Sequence, residues 1–147
     1  MAVVGSLAVT GAGNGGMPVL DLTTPTAPRV ASTFPGFTTA VALAGHTAYA
    51  VQLGSSVDLV VVDVATPASP AFVGRLTVGA GGDLKVVGSL VYVASGGYGL
   101  KIVDVSTPRR PTLVNTVDTP GLATEVAIAN GIAYASDTAS ILDVIGR

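Results

Sequence analysis

The 147-residue chain has no cysteine, no tryptophan and a single histidine. The lack of cysteine excludes a disulfide scaffold and a cysteine-ligated zinc site. Charge is scarce too, at 11% of residues, about half the usual share. Seven Lys and Arg are scattered along the chain against nine Asp and Glu, for a net charge of -2, which argues against a nucleic-acid binder. Aromatics make up only 5%. Disorder is nevertheless excluded, because 49% of residues are hydrophobic and the net charge is small. The apolar content is therefore aliphatic, mostly Val, Ala and Leu. It is divided by 19 Gly and 9 Pro, too many helix breakers for a coiled coil or helical bundle.

Long apolar runs are also missing. Gly, Pro, Asp or Thr cuts each one well before the roughly 20 residues that a spanning helix needs. The first charged residue is Asp21, so the start lacks the basic region of a signal peptide. The strongest runs are short and apolar on both faces, unlike the alternating strands of a membrane barrel. No transmembrane span is expected.

What the sequence has instead is a repeat. Leu59-Val60-Val61-Val62-Asp63, followed by Thr66-Pro67 and Pro70, matches Leu100-Lys101-Ile102-Val103-Asp104, followed by Thr107-Pro108 and Pro111. Weaker copies surround Asp21 and Asp143. A second motif runs in register with the first: Gly45-His46-Thr47-Ala48-Tyr49, Gly88-Ser89-Leu90-Val91-Tyr92 and Gly131-Ile132-Ala133-Tyr134, with Gly5-Ser6-Leu7-Ala8-Val9 as the opening copy. Two independent motifs sharing one period make chance similarity untenable.

Each unit divides into short Val-rich runs bounded by turn residues, the pattern of strands. In the second unit they cover about 38–44, 47–52, 58–64 and 71–78. Gly45-His46, Gly88-Ser89 and Asn130-Gly131 are tight-turn signals. The Pro-x-x-Pro pairs mark the turn before the fourth strand, where a missing N–H costs least. Four strands in about 42 residues is the spacing of a β-propeller blade. The middle strands should then be apolar on both faces, because blades pack on both sides. The fourth strands, carrying Ser32, Thr33, Arg75, Thr77, Asn115 and Thr116, should form a more polar outer edge. The expected fold is all-β: a β-propeller repeat of four-stranded antiparallel blades, in units of about 1–35, 36–79, 80–120 and 121–147.

The segments Leu59 to Asp63 and Leu100 to Asp104, each with its Thr-Pro-x-x-Pro turn and preceding Tyr motif, resemble LVIVD repeats. The resemblance covers nearly the whole chain. It implies a β-propeller, of a kind found mostly in bacterial and archaeal secreted or cell-surface proteins, with no general activity attached. Val3 to Val9 reads as one strand, so the units should hold three strands, four, four and three. The ring should then be incomplete or completed by another copy, the chain being a fragment of a larger propeller or an oligomer subunit with exposed apolar blade faces.

Candidate chemistry is sparse. Gly11-Ala12-Gly13-Asn14-Gly15-Gly16 matches a dinucleotide-binding fingerprint, but a strand rather than a helix should follow it, so a hairpin loop is expected. The recurrent Asp residues precede turns, where they should accept backbone N–H bonds. Asp83 and Glu125 each stand nine residues before a motif Tyr. That register lies on the first strand, which lines a propeller's channel, so the pair is the candidate metal site, with calcium as the possible ion. Tyr98 interrupts the pattern inside a loop and, with His46 at a hairpin tip, is the candidate binding surface. No catalytic residue and no required cofactor is expected. The leading reading is a non-catalytic scaffold or protein-binding domain of an extracellular or cell-envelope protein, presenting loops 11–16, 53–58 and 95–99. The alternative is a metal-assisted hydrolase or lactonase-like enzyme using the channel acids.

Overall fold

The computed structural model describes residues 1–139 and, by backbone alone, 143–145. The weak repeat copy at 139–144 therefore lies largely outside the described residues, and Asp143 keeps only a backbone place. Four antiparallel sheets follow one another along the chain, each with its strands in sequence order. The first contains β1 (Ala2–Val4), β2 (Leu7–Val9), β3 (Met17–Asp21) and β4 (Arg29–Phe34). The second contains β5 (Phe37–Ala44), β6 (Thr47–Leu53), β7 (Val57–Asp63) and β8 (Ala71–Thr77). The third contains β9 (Leu84–Val87), β10 (Leu90–Ala94), β11 (Leu100–Asp104) and β12 (Thr112–Val117). The last contains β13 (Ala123–Ala129), β14 (Ile132–Asp137) and β15 (Asp143–Ile145). The sheets stay separate and do not close into one barrel.

One expectation needs correcting. Val3 to Val9 is not a single strand. Gly5 and Ser6 make a turn, and Ala2–Val4 pairs antiparallel with Leu7–Val9. The strand counts are thus four, four, four and three among the described residues. The signal was in the sequence, since Gly5-Ser6 aligns with Gly45-His46 and Gly88-Ser89. The turn chemistry also tracks the residues. Gly5, Gly45 and Gly88 have positive φ at the first central position only, whereas Asn130 and Gly131 are both positive. These are the II′ and I′ patterns that match strand twist.

Side-chain alternation along the middle strands explains how the sheets stack. On β7, Val60 and Val62 join Leu7, Val9, Met17 and Val19 of the first sheet. Leu59 and Val61, on its other face, join Leu84, Val91, Val93 and Val103 of the third. Leu100 of the third sheet meets Val126, Ala133 and Ala135 of the fourth. The first strands of successive sheets touch: β1 with β5, β5 with β9 and β9 with β13. The fourth strands lie outside, and almost all of β12 is exposed. Each outer strand carries a bulge at the same register, at Ala31, Val73 and Val114. Bulges blunt an open edge against pairing with other chains.

The recurrent Asp residues are structural. Oδ1 of Asp21, Asp63 and Asp104 accepts the backbone N–H two residues on, at 2.8, 2.8 and 2.7 Å. These bonds hold the carboxyls of Asp21 and Asp104 below the usual carboxylate range. They start the proline turn that carries the chain to the outer strand.

Candidate functional site: the channel and the loop face

The first strands of the second, third and fourth sheets border an open polar cavity of about 490 Å³. Thr39, Ala40 and Val41 of the second sheet line it, with Gly82, Asp83 and Lys85 of the third and Thr124 and Glu125 of the fourth; Met1 completes the wall. Asp83 and Glu125 thus share one cavity. Their register matches as well. Glu125 pairs with Ser136, Ala40 pairs with Val51, and the Asp83 carbonyl accepts the amide of Ala94. Each partner stands two residues after a motif Tyr. Asp83 is already engaged, however: its Oδ2 accepts from Lys85 Nζ at 2.7 Å and from the Val126 amide at 3.4 Å. Glu125 is exposed. Among the described residues no group of three His, Cys, Asp or Glu is placed to hold a metal. The two carboxylates alone are too few oxygen ligands for calcium, which takes six to eight.

The hairpin loops β2–β3, β6–β7 and β10–β11 carry the other candidates. The glycine-rich loop at 11–16 is closed by its own backbone bonds, Ala12 N–H to Gly16 O and Gly15 N–H to Ala12 O, and leads into β3. No helix follows to receive a pyrophosphate, so the fingerprint match is a hairpin. The loop at 95–99 repeats the same bonds, with Ser95 and Gly99 in place of Ala12 and Gly16. Tyr98 stands on it, 58% exposed. Its ring covers Gly79, and Lys101 Nζ lies 5.4 Å from the ring centroid, within cation–π range. Leu122, which sequence reasoning missed, is 54% exposed beside Gly97. It borders an apolar groove of about 250 Å³ floored by Ala80, Gly81, Gly82, Gly96 and Ala123. Leu122 follows a Pro-Gly junction, where exposure is usual and nothing in the residue itself flags a surface. His46 is exposed at the β5–β6 tip, on a hairpin different from the one that carries Tyr98.

This architecture defines a class: sequential antiparallel blades, stacked face to face with the first strands of neighbours in contact, make a β-propeller repeat protein. The model of the LVIVD repeat family matches residues 35–78 and 78–119, and the chain belongs to that family. Among solved structures, the fold is similar to the computationally designed Ika4 protein, at 17% identity and a TM-score of 0.75, over 99% of this chain and 89% of that one. It is also similar to BamB from Moraxella catarrhalis, at 15% identity and a TM-score of 0.73, over 97% of this chain but only 40% of that one. A comparison with curated proteins found no match. Among the described residues no helix is long and apolar enough to cross a membrane.

Proposed function

We propose that the chain is a non-catalytic propeller scaffold that binds protein segments on its hairpin-loop face. The observation that carries this reading is an apolar groove between the third and fourth sheets bordered by the exposed Leu122, next to the 95–99 hairpin loop on which Tyr98 is also more than half exposed. A partner side chain seated in the groove would cover Leu122, and a partner segment continuing over the 95–99 loop would cover Tyr98. Tyrosine is enriched among residues that dominate binding energy. Family membership supports an extracellular or cell-envelope address. Asp83 and Glu125 are a solvated channel wall in this reading, and no observation favours the hydrolase or lactonase alternative.

Selection of displayed peptides against the folded chain tests the proposal. Peptides that bind should lose about 2 kcal/mol or more of affinity on Tyr98→Ala and should be insensitive to Phe72→Ser on the outer edge. Selected peptides that bind Tyr98→Ala as well as the parent would contradict it.

The same scaffold reading includes self-association. Val3, Val4 and Val30 of the first sheet are exposed, and so are Ala127 and Ala129 of the fourth. Light scattering should give a mass above that of one chain, and a stable monomer would count against association.

A further inference from the structure

The second blade departs from the repeat at one place. Its β6–β7 connection is two residues longer than the loops at 11–16 and 95–99, counted between the motif positions Tyr49 and Leu59, Tyr92 and Leu100, and Val9 and Met17. Asp58 stands where the other blades have Gly16 and Gly99, five residues before the turn Asp. Arg75 stands where they have Thr33 and Thr116, each on the outer strand opposite the third residue before that Asp. The two departures meet side by side on the wall of a cavity of about 230 Å³, lined also by Gln52, Ser55 and Ser56.

The Asp58 carboxylate is held in place. Its Oδ1 accepts from Ser56 Oγ at 2.9 Å and from Thr77 Oγ1 at 2.8 Å, and its side chain is only 13% exposed. Its Oδ2 faces Arg75 Nη1 at 3.8 Å, and the Arg75 side chain is 68% exposed. That separation is too long for a hydrogen bond. It is the kind of gap that a bridging hydroxyl or water fills, by donating to the carboxylate and accepting from the guanidinium. Gln52 has both its amide hydrogens directed away, to Pro35 O at 2.9 Å and Thr38 Oγ1 at 3.0 Å. This leaves its Oε1 without a donor, on a side chain that lines the cavity.

The geometry points to a binding site for a small neutral polyhydroxylated ligand, of monosaccharide size, at this cavity. One hydroxyl bridges Asp58 Oδ2 and Arg75, and a neighbouring hydroxyl donates to Gln52 Oε1. The two charges cancel, so a charged ligand gains little from the site. A neutral ligand carrying adjacent donor–acceptor groups uses both at once. The site does not rest on the peptide-groove reading, because the two cavities share no lining residue and Tyr98 does not line this one.

The test is a titration of isotopically labelled protein, followed by amide and Arg75 side-chain resonances. The probes are glucose, galactose, N-acetylglucosamine and myo-inositol, with sodium acetate and methylammonium chloride as charged controls. A free sugar and a sugar linked at the end of a chain offer the same chemistry, so the matching disaccharides form a second arm. At least one sugar or inositol should shift Ser55, Ser56 and Arg75 together. Arg75→Thr, which installs the residue of the other blades on an exposed strand position, should weaken that binding about tenfold with Tm unchanged. Asp58→Asn should do the same, and Tyr98→Ala should leave it intact. The proposal is overturned if none of the neutral probes shifts these resonances, if acetate or methylammonium does so more strongly, or if Arg75→Thr binds sugar as the parent does.

Discussion

The junctions between blades are of two kinds. From the first sheet to the second, and from the third to the fourth, the hairpin loop reaches across and makes a two-bond latch. Gly13 exchanges N–H···O bonds with Thr38 at 2.9 and 3.0 Å, and Gly96 does the same with Ala123 at 3.0 and 3.0 Å. The junction from the second sheet to the third is different. Its longer loop makes no such bridge. Instead the Val57 carbonyl receives the amides of Val78 and Gly79, and Gly81 lies directly against the Val51 and Val57 side chains. An apolar cluster built from both sheets, including Val51, Leu59, Leu84 and Val91, sits at this joint. Directional backbone bonds add to packing at the latched joints, and the middle joint depends on close packing.

The comparison can be broken most strongly at the core. Leu59→Ala at the middle joint should cost toward the upper end of about 2–5 kcal/mol, and Leu100→Ala at a latched joint toward the lower end, because the Gly96–Ala123 bonds still hold that joint. Urea unfolding of both variants measures the difference. Next in size is Gly81→Ala, whose added methyl has no room beside Val51 and should cost about 1–3 kcal/mol. Val51→Ala in the same chain should recover part of that loss, and a double-mutant cycle reads the coupling. Gly96→Ala should cost about 1–2 kcal/mol, through the left-handed backbone at φ 54° that its latch requires, with Val51→Ala giving it no relief.

A smaller effect is acid sensitivity. Asp21 and Asp104 have lowered folded pKa values because backbone amides bond their charged forms. Their contribution to stability is present above the unfolded value of 3.8 and is lost as pH falls through the lowered folded value. Asp104→Asn should lower stability slightly at neutral pH, match the parent below the lowered folded value, and so flatten the acid limb of a stability-against-pH curve. The smallest expected effect is that of calcium. With Lys85 already bonded to Asp83, excess calcium should leave Tm unmoved, and a rise would mark a metal site at Asp83 and Glu125.

The blades were legible in the sequence because period and polarity agree. Leu59 and Val60 point to opposite faces of β7 and are both buried. A continuous apolar run of that length, bounded by turns and repeated at the blade period, marks an inner strand of stacked sheets. The turn Asp residues were legible through their place before proline. The short β1 was not, because three residues show no periodicity of their own and only the Gly5-Ser6 turn reveals them. The site at Asp58 was hidden for another reason. Its partner Arg75 is distant in sequence, and the outer strand was read simply as polar. Only the pairing of β7 with β8 brings the two departures from the repeat together.

Hydrogen exchange resolved to single amides tests the account of two joints most directly. The amides of Gly13, Thr38, Gly96 and Ala123 should be protected far beyond other loop positions, close to those of β6 and β10, while Ser55 in the longer loop exchanges quickly. Latch amides exchanging as fast as Ser55 would contradict it.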